Sequence, residues 1–345
     1  MADTLDDAQM DAQEAAHEMP PADVFMAPSV HTADILAGRT YSHFSEIPQL
    51  IAHDMSREVV LGVDEAGRGP VLGPMVYALF YLPLELHRSL LAETHRFDDS
   101  KVLTPAFRSG LMRTLCTAGT DLHEAGGWAT RSLSAQDISA HMLSPSVYNL
   151  NAQAMDATID LIKGVLARGV NVTDIYIDTI GRPEIYQKKL ERIWPTIRIT
   201  VAKKADSLYP VVSAASVCAK VTRDAALEVC YEPYHARAVA MGEIADDAEV
   251  GIPWGSGYPS DPKLKAWLKH NMDPLFGWGS ECRFSWGTAK ELLEGNKPPV
   301  NLDWPAEDDG NDMRMTDFFV GKNESAGDEL ADWYGKRVSE DMQVF

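Results

Sequence analysis

Short continuous apolar runs alternate along the chain with longer stretches in which apolar residues recur every three or four positions. This pattern is typical of strands that alternate with helices. The runs EVVLGVD, which ends at Asp64, and GPMVYALFYLP, which ends at Pro83, are close enough in sequence to predict a β-hairpin. Two later runs, DIYID and IRITVA, predict further strands next to helical segments. The elements together predict an α/β fold with a mixed central sheet flanked by helices.

Helical spacing is strongest between Tyr148 and Gly169, where a glycine marks the predicted end of the helix. A second long helix, rich in small residues, is predicted over SLYPVVSAASVCAKVTRDAALEVC. Shorter helices are predicted over LELHRSLLAETH, TPAFRSGLMRTLCTAG and RPEIYQKKLERIW. Two more, over PSDPKLKAWLKHN and GTAKELLE, predict a C-terminal helical extension.

Composition divides the chain into four predicted parts. Residues 1–56 are predicted to form an acidic, mostly disordered extension, and residues 57–232 the α/β domain. Residues 233–298 are predicted to form a helical subdomain, and residues 299–345 an acidic tail. The net charge of −20 argues at face value against nucleic-acid binding. Most of the net negative charge lies in the two terminal parts, however, so the middle of the chain is close to neutral and can still carry a basic groove.

The four cysteines form no CxxC pair and are badly spaced for a zinc site, which predicts reduced, mostly buried thiols in an intracellular protein. The N-terminus has neither a basic nor an apolar region, so no signal peptide is predicted. The longest apolar stretch is interrupted by Pro74 and Pro83, and no membrane span is predicted.

Four acidic residues stand where strands end or a helix begins. Asp64 and Glu65 end the first run, Asp178 ends DIYID, and Asp206 precedes the long helix rich in small residues. Alone, Asp206 is compatible with a helix cap, and Asp178 with a turn before Gly181. Because strand ends meet at one edge of an α/β sheet, the four together predict a site for hard divalent cations.

The acidic pair is followed by GRGP. Glycines at 67 and 69 allow the backbone to come close to a ligand, and the exposed N–H groups with Arg68 can bind a phosphate or a ribose hydroxyl. A plain hairpin turn remains the alternative interpretation of these four residues.

These residues belong to a longer series of motifs. DEAGRGP, DDSK, YIDTIG, KKADSLYPVVSAASVCAKVTRD, GSGYPSDP and RFSWGTAKELLE follow one another in this order between Glu58 and Glu294. The series resembles type 2 ribonuclease H, and its YPVVS run and spacing are similar to the catalytic (A) chain of the eukaryotic three-subunit enzymes. The resemblance implies an RNase H-like fold and a nuclear enzyme that removes ribonucleotides and Okazaki primers. Such an enzyme cuts the RNA strand of RNA–DNA hybrids, and cuts 5′ to single ribonucleotides in duplex DNA, leaving 3′-hydroxyl and 5′-phosphate ends.

The resemblance also implies roles for individual residues. The expected cofactor is Mg²⁺, with Mn²⁺ as a substitute, and two ions with substrate bound. The implied catalytic and metal-binding residues are Asp64, Glu65, Asp178 and Asp206. The implied substrate-binding residues are Gly67, Arg68, Gly69, Lys101, Asn149, Asn151 and Tyr258. Without the resemblance, a tyrosine in a Gly-Pro loop such as GSGYP is more often a packing residue.

The terminal parts suggest partners. The segment DMRMTDFFVGK is similar to peptides that bind the replication sliding clamp, with Met315, Phe318 and Phe319 at the required spacing and Asp312 in place of the usual glutamine. The alternative is an aromatic pair that docks on this chain or on another chain of the same complex. The resemblance implies two non-catalytic subunits, B and C, in a heterotrimer with the RNA–DNA hybrid or ribonucleotide-containing duplex as substrate.

Two other functions remain open. The chain could be a non-catalytic scaffold, although the presence of all four acids disfavours this. It could also be a DNA nuclease on the same fold, but such an enzyme needs neither the GRG turn nor Tyr258. Cleavage of a duplex that contains one ribonucleotide, compared with an all-DNA duplex, separates these possibilities.

Overall fold

A single six-stranded mixed sheet forms the centre of the protein, with the strand order β1-β4-β3-β2-β5-β6. The computed structural model describes residues 25–97, 104–144, 148–179, 181–243 and 252–295. The strands are β1 Tyr41–Phe44, β2 Val59–Ala66, β3 Met75–Pro83, β4 Gly127–Leu133, β5 Val172–Asp178 and β6 Arg198–Ala202. β2 pairs antiparallel with β3 and parallel with β5, which confirms both the predicted hairpin and the predicted mixed sheet.

Helices cover both faces of this sheet. They are α1 Thr32–Leu36, α2 Gln49–Ala52, α3 Pro105–Cys116, α4 Asp121–Ala125, α5 Ala135–Leu143, α6 Leu150–Leu166, α7 Pro183–Ile193, α8 Pro210–Ala240, α9 Pro262–His270 and α10 Gly287–Leu293. The segment predicted as one helix after β3 instead forms a 3₁₀ turn, Leu84–Leu86, and a π-helical turn, Ser89–Thr94. Among the described residues, no helix is long and apolar enough to cross a membrane.

The long helix α8 packs on one face of the sheet and α6 on the other, so each face has its own hydrophobic core. The small residues of α8 allow a close approach to β2. A Cβ added at Gly62 would lie 2.4 Å from the carbonyl oxygen of Val211, in the first turn of α8. The N–H of Val211 donates to Nε2 of His87 at 3.2 Å, which satisfies one amide of the helix N-terminus. The start of α8 is thereby fixed beside the centre of β2.

The folded part of the chain begins before the predicted position. Strand β1 pairs antiparallel with β4 at the edge of the sheet, although residues 1–56 were predicted to be mostly disordered. The Ser29 hydroxyl also forms a buried 2.7 Å hydrogen bond with the hydroxyl of Thr222 on α8. The prediction is therefore wrong for residues 25–56, because the average acidity of the extension hides a few apolar anchors. Residues 1–24 lie outside the described part.

Helix α8 crosses the boundary predicted between residues 232 and 233, since it continues through Pro233 to Ala240. The helices that follow share a third hydrophobic cluster with the second half of α8, with the segment after the GRG turn and with the buried Trp254. The predicted C-terminal helices are present, but the boundary at 232 falls inside one continuous helix. Within the described segments the four cysteines are unpaired, and three of them are buried.

Candidate active site

The parallel pairing of two central strands brings two of the predicted acids, Asp64 and Asp178, to neighbouring positions. Val63 of β2 is the register partner of Ile177 of β5, so Asp64 and Asp178 follow at the same end of neighbouring strands. Asp206 lies in a 3₁₀ turn, Ala205–Ser207, just after β6, which is the neighbour of β5. The sheet therefore places the three aspartates at one edge, as the sequence predicted.

Burial and mutual repulsion act on these carboxyl groups. Asp64 is 6% exposed. Burial first, and then the charges of Asp178, Glu65 and Asp206, raise its pKa well above the usual range, while Lys220 on α8 lowers it. Burial is also the main cause that raises the pKa of Asp178 to about 6, against hydrogen bonds from backbone amides. All four predicted acids thus belong to one electrostatic cluster.

Each aspartate accepts a hydrogen bond from a backbone amide. The amide of Glu65 donates to Asp64 Oδ1 at 2.7 Å, and that of Ala205 donates to Asp178 Oδ1 at 2.8 Å. Asp206 Oδ1 accepts from its neighbour's amide at 2.9 Å. Asp206 is not the cap of the long helix, which was its alternative interpretation, because the N-cap is Tyr209, three positions later. Its side chain is therefore not used by the N-terminus of α8.

The donor set of this cluster consists of carboxylate oxygens, the ligands that hard cations such as Mg²⁺ and Mn²⁺ prefer. Among the described residues, no group of three or more His, Cys, Asp or Glu side chains is arranged around one point as a metal site. Like charges at this edge repel one another, and a divalent cation would offset that repulsion. The donor chemistry and the raised pKa of Asp64 therefore fit a divalent cation, although the side chains do not converge on one position.

The GRG turn lies directly after these acids, is half-buried and packs against several segments. Gly67 has φ +77°, and a Cβ at this position would lie 2.1 Å from Nε of Arg223 on α8. The Arg68 side chain extends in another direction and donates to the Asn151 side chain at the start of α6. Its other amino group lies 3.5 Å from the hydroxyl of Tyr77. Only a glycine is compatible with both the conformation and the crowding at position 67.

The GSGYP loop brings Tyr258 against this turn. A Cβ added at Gly69 would lie 2.9 Å from the ring of Tyr258, so the ring packs on the backbone of the turn. Gly257 supports the contact, because its carbonyl accepts a 2.7 Å hydrogen bond from the amide of Val71. Asp261 holds the other end of the loop through the hydroxyl and the amide of Ser256. The structure therefore brings Tyr258 to the GRG turn, as the resemblance implied.

The other predicted substrate-binding residues do not all lie at the GRG turn. Asn149 caps α6, and its side-chain oxygen accepts from the amide of Ala152 at 3.0 Å. Asn151 is exposed and contacts the turn through Arg68. Lys101 and the segment with Met315, Phe318 and Phe319 lie outside the described residues.

No role was predicted from the sequence for several cationic or aromatic residues of this region. Lys220 and Arg223 lie one helical turn apart on α8, where they face the acids and the GRG turn respectively. Arg283 and Trp286, from RFSW, bond the carbonyls of the turn. The spacing in AKVTRD could have indicated the first pair, but no local pattern could have indicated the second.

Comparisons with known proteins identify the family of this chain. The family model "Ribonuclease HII" matches residues 61–289. The A chain of the Neurospora crassa Ribonuclease H2 is 57% identical over 317 residues, which cover 90% of this chain and 94% of that protein. The A chain of the Homo sapiens Ribonuclease H2 is 44% identical over 269 residues, covering 77% and 84% of the two chains.

Two archaeal structures share the fold. The ribonuclease H2 of Pyrococcus horikoshii OT3 has a TM-score of 0.54 and 28% sequence identity, and the alignment covers 68% of this chain and 97% of that one. The RNase HII of Archaeoglobus fulgidus, solved in a complex with PCNA, has a TM-score of 0.52, 25% identity and the same coverage. From the matched family model, the extent of these similarities and the acids at the strand ends, we conclude that the chain belongs to the ribonuclease HII family, the type 2 ribonucleases H.

Proposed function

We propose that this chain is the catalytic (A) chain of a type 2 ribonuclease H that hydrolyses RNA paired with DNA. Its substrates would be the RNA strand of RNA–DNA hybrids and single ribonucleotides in duplex DNA, cut on the 5′ side to leave 3′-hydroxyl and 5′-phosphate ends. The observation that carries the proposal is the position of the GRG turn. The turn comes directly after β2, the strand that contains the buried Asp64, and it packs against Tyr258.

The acids would hold the cofactor. Asp64, Asp178 and Asp206 would bind divalent cations, with Glu65 beside them, and we expect Mg²⁺, two ions with substrate bound, and Mn²⁺ as a substitute. Such ions, when bound, activate a water molecule and stabilise the leaving oxygen. Lys220 offsets part of the negative charge around Asp64. Backbone amides hold the carboxyl groups of Asp64 and Asp178 at the strand ends, and side-chain rotation would have to bring the acids together around a cation.

The turn and the tyrosine would read the sugar. A ribose differs from a deoxyribose by the 2′-hydroxyl, which is both a donor and an acceptor. The glycines of the turn let its amides approach a sugar closely, and the Tyr258 ring beside Gly69 would pack on the next sugar and exclude a 2′-hydroxyl there. Attraction on one side and exclusion on the other would select an RNA-to-DNA junction.

A cleavage assay tests this proposal. The full-length chain, co-expressed with its own partner subunits, is given Mg²⁺ and a DNA duplex with one ribonucleotide, and an all-DNA duplex serves as the control substrate. We expect cleavage of the first duplex alone, and a loss of at least about a thousandfold in the Asp64→Asn variant. Equal cleavage of both duplexes would favour a DNA nuclease, and full activity of the variant would contradict the role of the acids.

We also propose partners and a location. The similar proteins are named as the first of several lettered subunits, which supports assembly with B and C subunits. The Archaeoglobus protein, solved with PCNA, supports binding of a sliding clamp, here through Met315, Phe318 and Phe319. The location that we propose is the nucleus, where a eukaryotic enzyme of this kind would meet replicated DNA. Substitution of both phenylalanines by alanine should abolish clamp binding in a pull-down assay and leave cleavage unchanged, whereas unchanged binding would refute the role of this peptide.

A further inference from the structure

A fully buried arginine holds the GRG turn from behind. The side chain of Arg283 is 0% exposed. Its Nη2 donates to the carbonyl of Gly67 at 2.6 Å and its Nη1 to the carbonyl of Arg68 at 2.8 Å. Its Nε donates to the carbonyl of Gly73 at 3.1 Å. One rigid guanidinium group, from a segment more than 200 positions later in the chain, therefore holds two carbonyls of the turn and a third at Gly73, just after it.

A second residue of the same segment completes this contact. The indole N–H of Trp286 donates to the carbonyl of Gly69 at 2.9 Å, and its ring centre lies 4.9 Å from the Arg283 guanidinium carbon. The segment is itself anchored, because the amide of Arg283 donates to the carbonyl of Val71 at 2.9 Å. All three carbonyls of the GRG tripeptide thus face the RFSW segment.

The direction of these carbonyls fixes the direction of the amides. In a planar trans peptide the N–H of one residue points opposite to the C=O of the preceding residue. Because the carbonyls of Gly67 and Arg68 both point to Arg283, the amides of Arg68 and Gly69 both point away from it. The next residue is Pro70, which has no N–H, so the set ends there. Two successive amides facing the same side form a concave site suited to an oxygen ligand.

The positive charges behind the GRG turn are buried, which is unfavourable for folding. The three hydrogen bonds of the Arg283 guanidinium go to neutral carbonyls. Arg223 is also buried, packs under Gly67 and has two nitrogen atoms without a partner among the described residues. Burial and the nearby Arg223 lower the pKa of Arg283 to about 9. Two buried cations behind one turn raise the potential on its open side, which favours a phosphate there.

We propose that Arg283 and Trp286 are positioning residues for ribose recognition, because they set the direction in which the amides of the GRG turn face the substrate. This proposal rests on the proposed function, since it assigns the reading of the 2′-hydroxyl to the same turn. It makes the C-terminal segment part of the specificity of the enzyme, although that segment is not required to touch the sugar.

The test uses two matched tryptophan substitutions in the full-length chain, co-expressed with its partner subunits. Trp286→Phe keeps an aromatic ring but removes the donor to the Gly69 carbonyl. The control, Trp278→Phe, removes an equivalent indole donor, which bonds the carbonyl of Leu268 at 2.8 Å in the same C-terminal region. Arg283→Lys keeps the charge but not the planar set of three donors. Thermal unfolding shows whether each variant is folded.

Two quantities are measured for each variant. One is kcat/KM for a duplex with one ribonucleotide, and the other is the inhibition constant of an all-DNA duplex as a competitor. We expect Trp286→Phe to lower kcat/KM by about three- to tenfold, as for one lost hydrogen bond, with the inhibition constant unchanged within about twofold. Arg283→Lys should lower kcat/KM further. Trp278→Phe should change neither quantity beyond about twofold.

Other outcomes would overturn the proposal. If Trp286→Phe and Arg283→Lys both keep the wild-type kcat/KM, the turn does not depend on this contact, although the proposed function stands. If Trp278→Phe causes the same loss as Trp286→Phe, the effect is general destabilisation. If the wild-type protein itself does not distinguish the two duplexes, the proposed function fails first, and the role of Arg283 in ribose recognition fails with it.

Discussion

Substitution of Gly69 by alanine tests the packing between the GRG turn and Tyr258. The backbone at Gly69 does not have a positive φ, so an alanine is compatible with its conformation. The added Cβ would lie 2.9 Å from Cε1 of the Tyr258 ring and 3.5 Å from Cδ1. Carbon atoms in good contact are separated by about 3.5–4.0 Å, so the ring would have to recede by roughly 0.6 Å or more.

The size of the effect follows from this displacement. Overpacking costs about 1–3 kcal/mol, whereas replacing a glycine by alanine in a compatible conformation stabilises by about 0.4–1 kcal/mol. We expect a net loss of about 0–2 kcal/mol in the free energy of unfolding of the Gly69→Ala variant. The effect on activity should be larger in relative terms. A misplacement of ~1 Å can cost about a hundredfold in rate, so we expect kcat/KM for a single-ribonucleotide duplex to fall by about tenfold.

A double-mutant cycle with Tyr258→Ala separates this contact from other effects. If alanine at 69 acts by displacing the ring, it should cost little further activity when the ring is absent. Gly110→Ala on α3 is the matched control, because a Cβ there meets nothing within 4 Å; stability should rise by about 0.4–1 kcal/mol and kcat/KM should be preserved. The reasoning is refuted if Gly69→Ala keeps wild-type kcat/KM, or if its cost is the same with and without the tyrosine ring.

Three further predictions concern stability. Gly62→Ala places a Cβ 2.4 Å from the backbone oxygen of Val211, so urea unfolding should show that the free energy of unfolding falls by about 1–3 kcal/mol. An unchanged urea midpoint would contradict the close packing of α8 on β2. Arg198 holds Asp174 through a 2.6 Å ion pair and lowers its pKa. This carboxylate therefore stabilises above its unfolded-state pKa and loses its effect as the pH falls through its folded-state pKa. Asp174→Asn should cost up to about 1 kcal/mol at pH 7, since Arg198 is largely exposed, and this cost should shrink as the pH falls through the folded-state pKa of Asp174. An equal cost at pH 7 and at an acid pH at which the protein is still folded would refute this assignment. In EDTA, the Asp64→Asn variant should be at least as stable as the wild type, because the substitution relieves the repulsion between the acids. Mg²⁺ at about ten times its Kd should stabilise the wild type by about 1.4 kcal/mol and should not stabilise the variant. An equal thermal shift in both proteins would contradict the role of Asp64 as a cation ligand.

Some errors in the predicted fold have a common physical origin. The predicted disorder of residues 25–56 came from average composition, whereas the structure depends on a few specific contacts. One of them is the bond between the hydroxyls of Ser29 and Thr222, which are 193 positions apart. The boundary predicted at 232 failed because α8 continues through Pro233 in spite of the poor helix propensity of proline, and because the later helices pack on the second half of α8. Neither contact leaves a local pattern.

The sequence by itself determined the strands β2, β3, β5 and β6, the main helices, and the four acids of the candidate site. Hydrophobic periodicity and strand-end positions are local properties, and the motif series identified the family from the same residues. Only the tertiary structure decided which segments surround the GRG turn. Arg283 reaches Gly67 across 216 positions, and its contact depends on the packing of α8 and of the segments after it. The sequence thus specified the groups that can do the chemistry, whereas long-range packing decided which way the turn faces, because the orientation of a peptide plane is set by its partners in space.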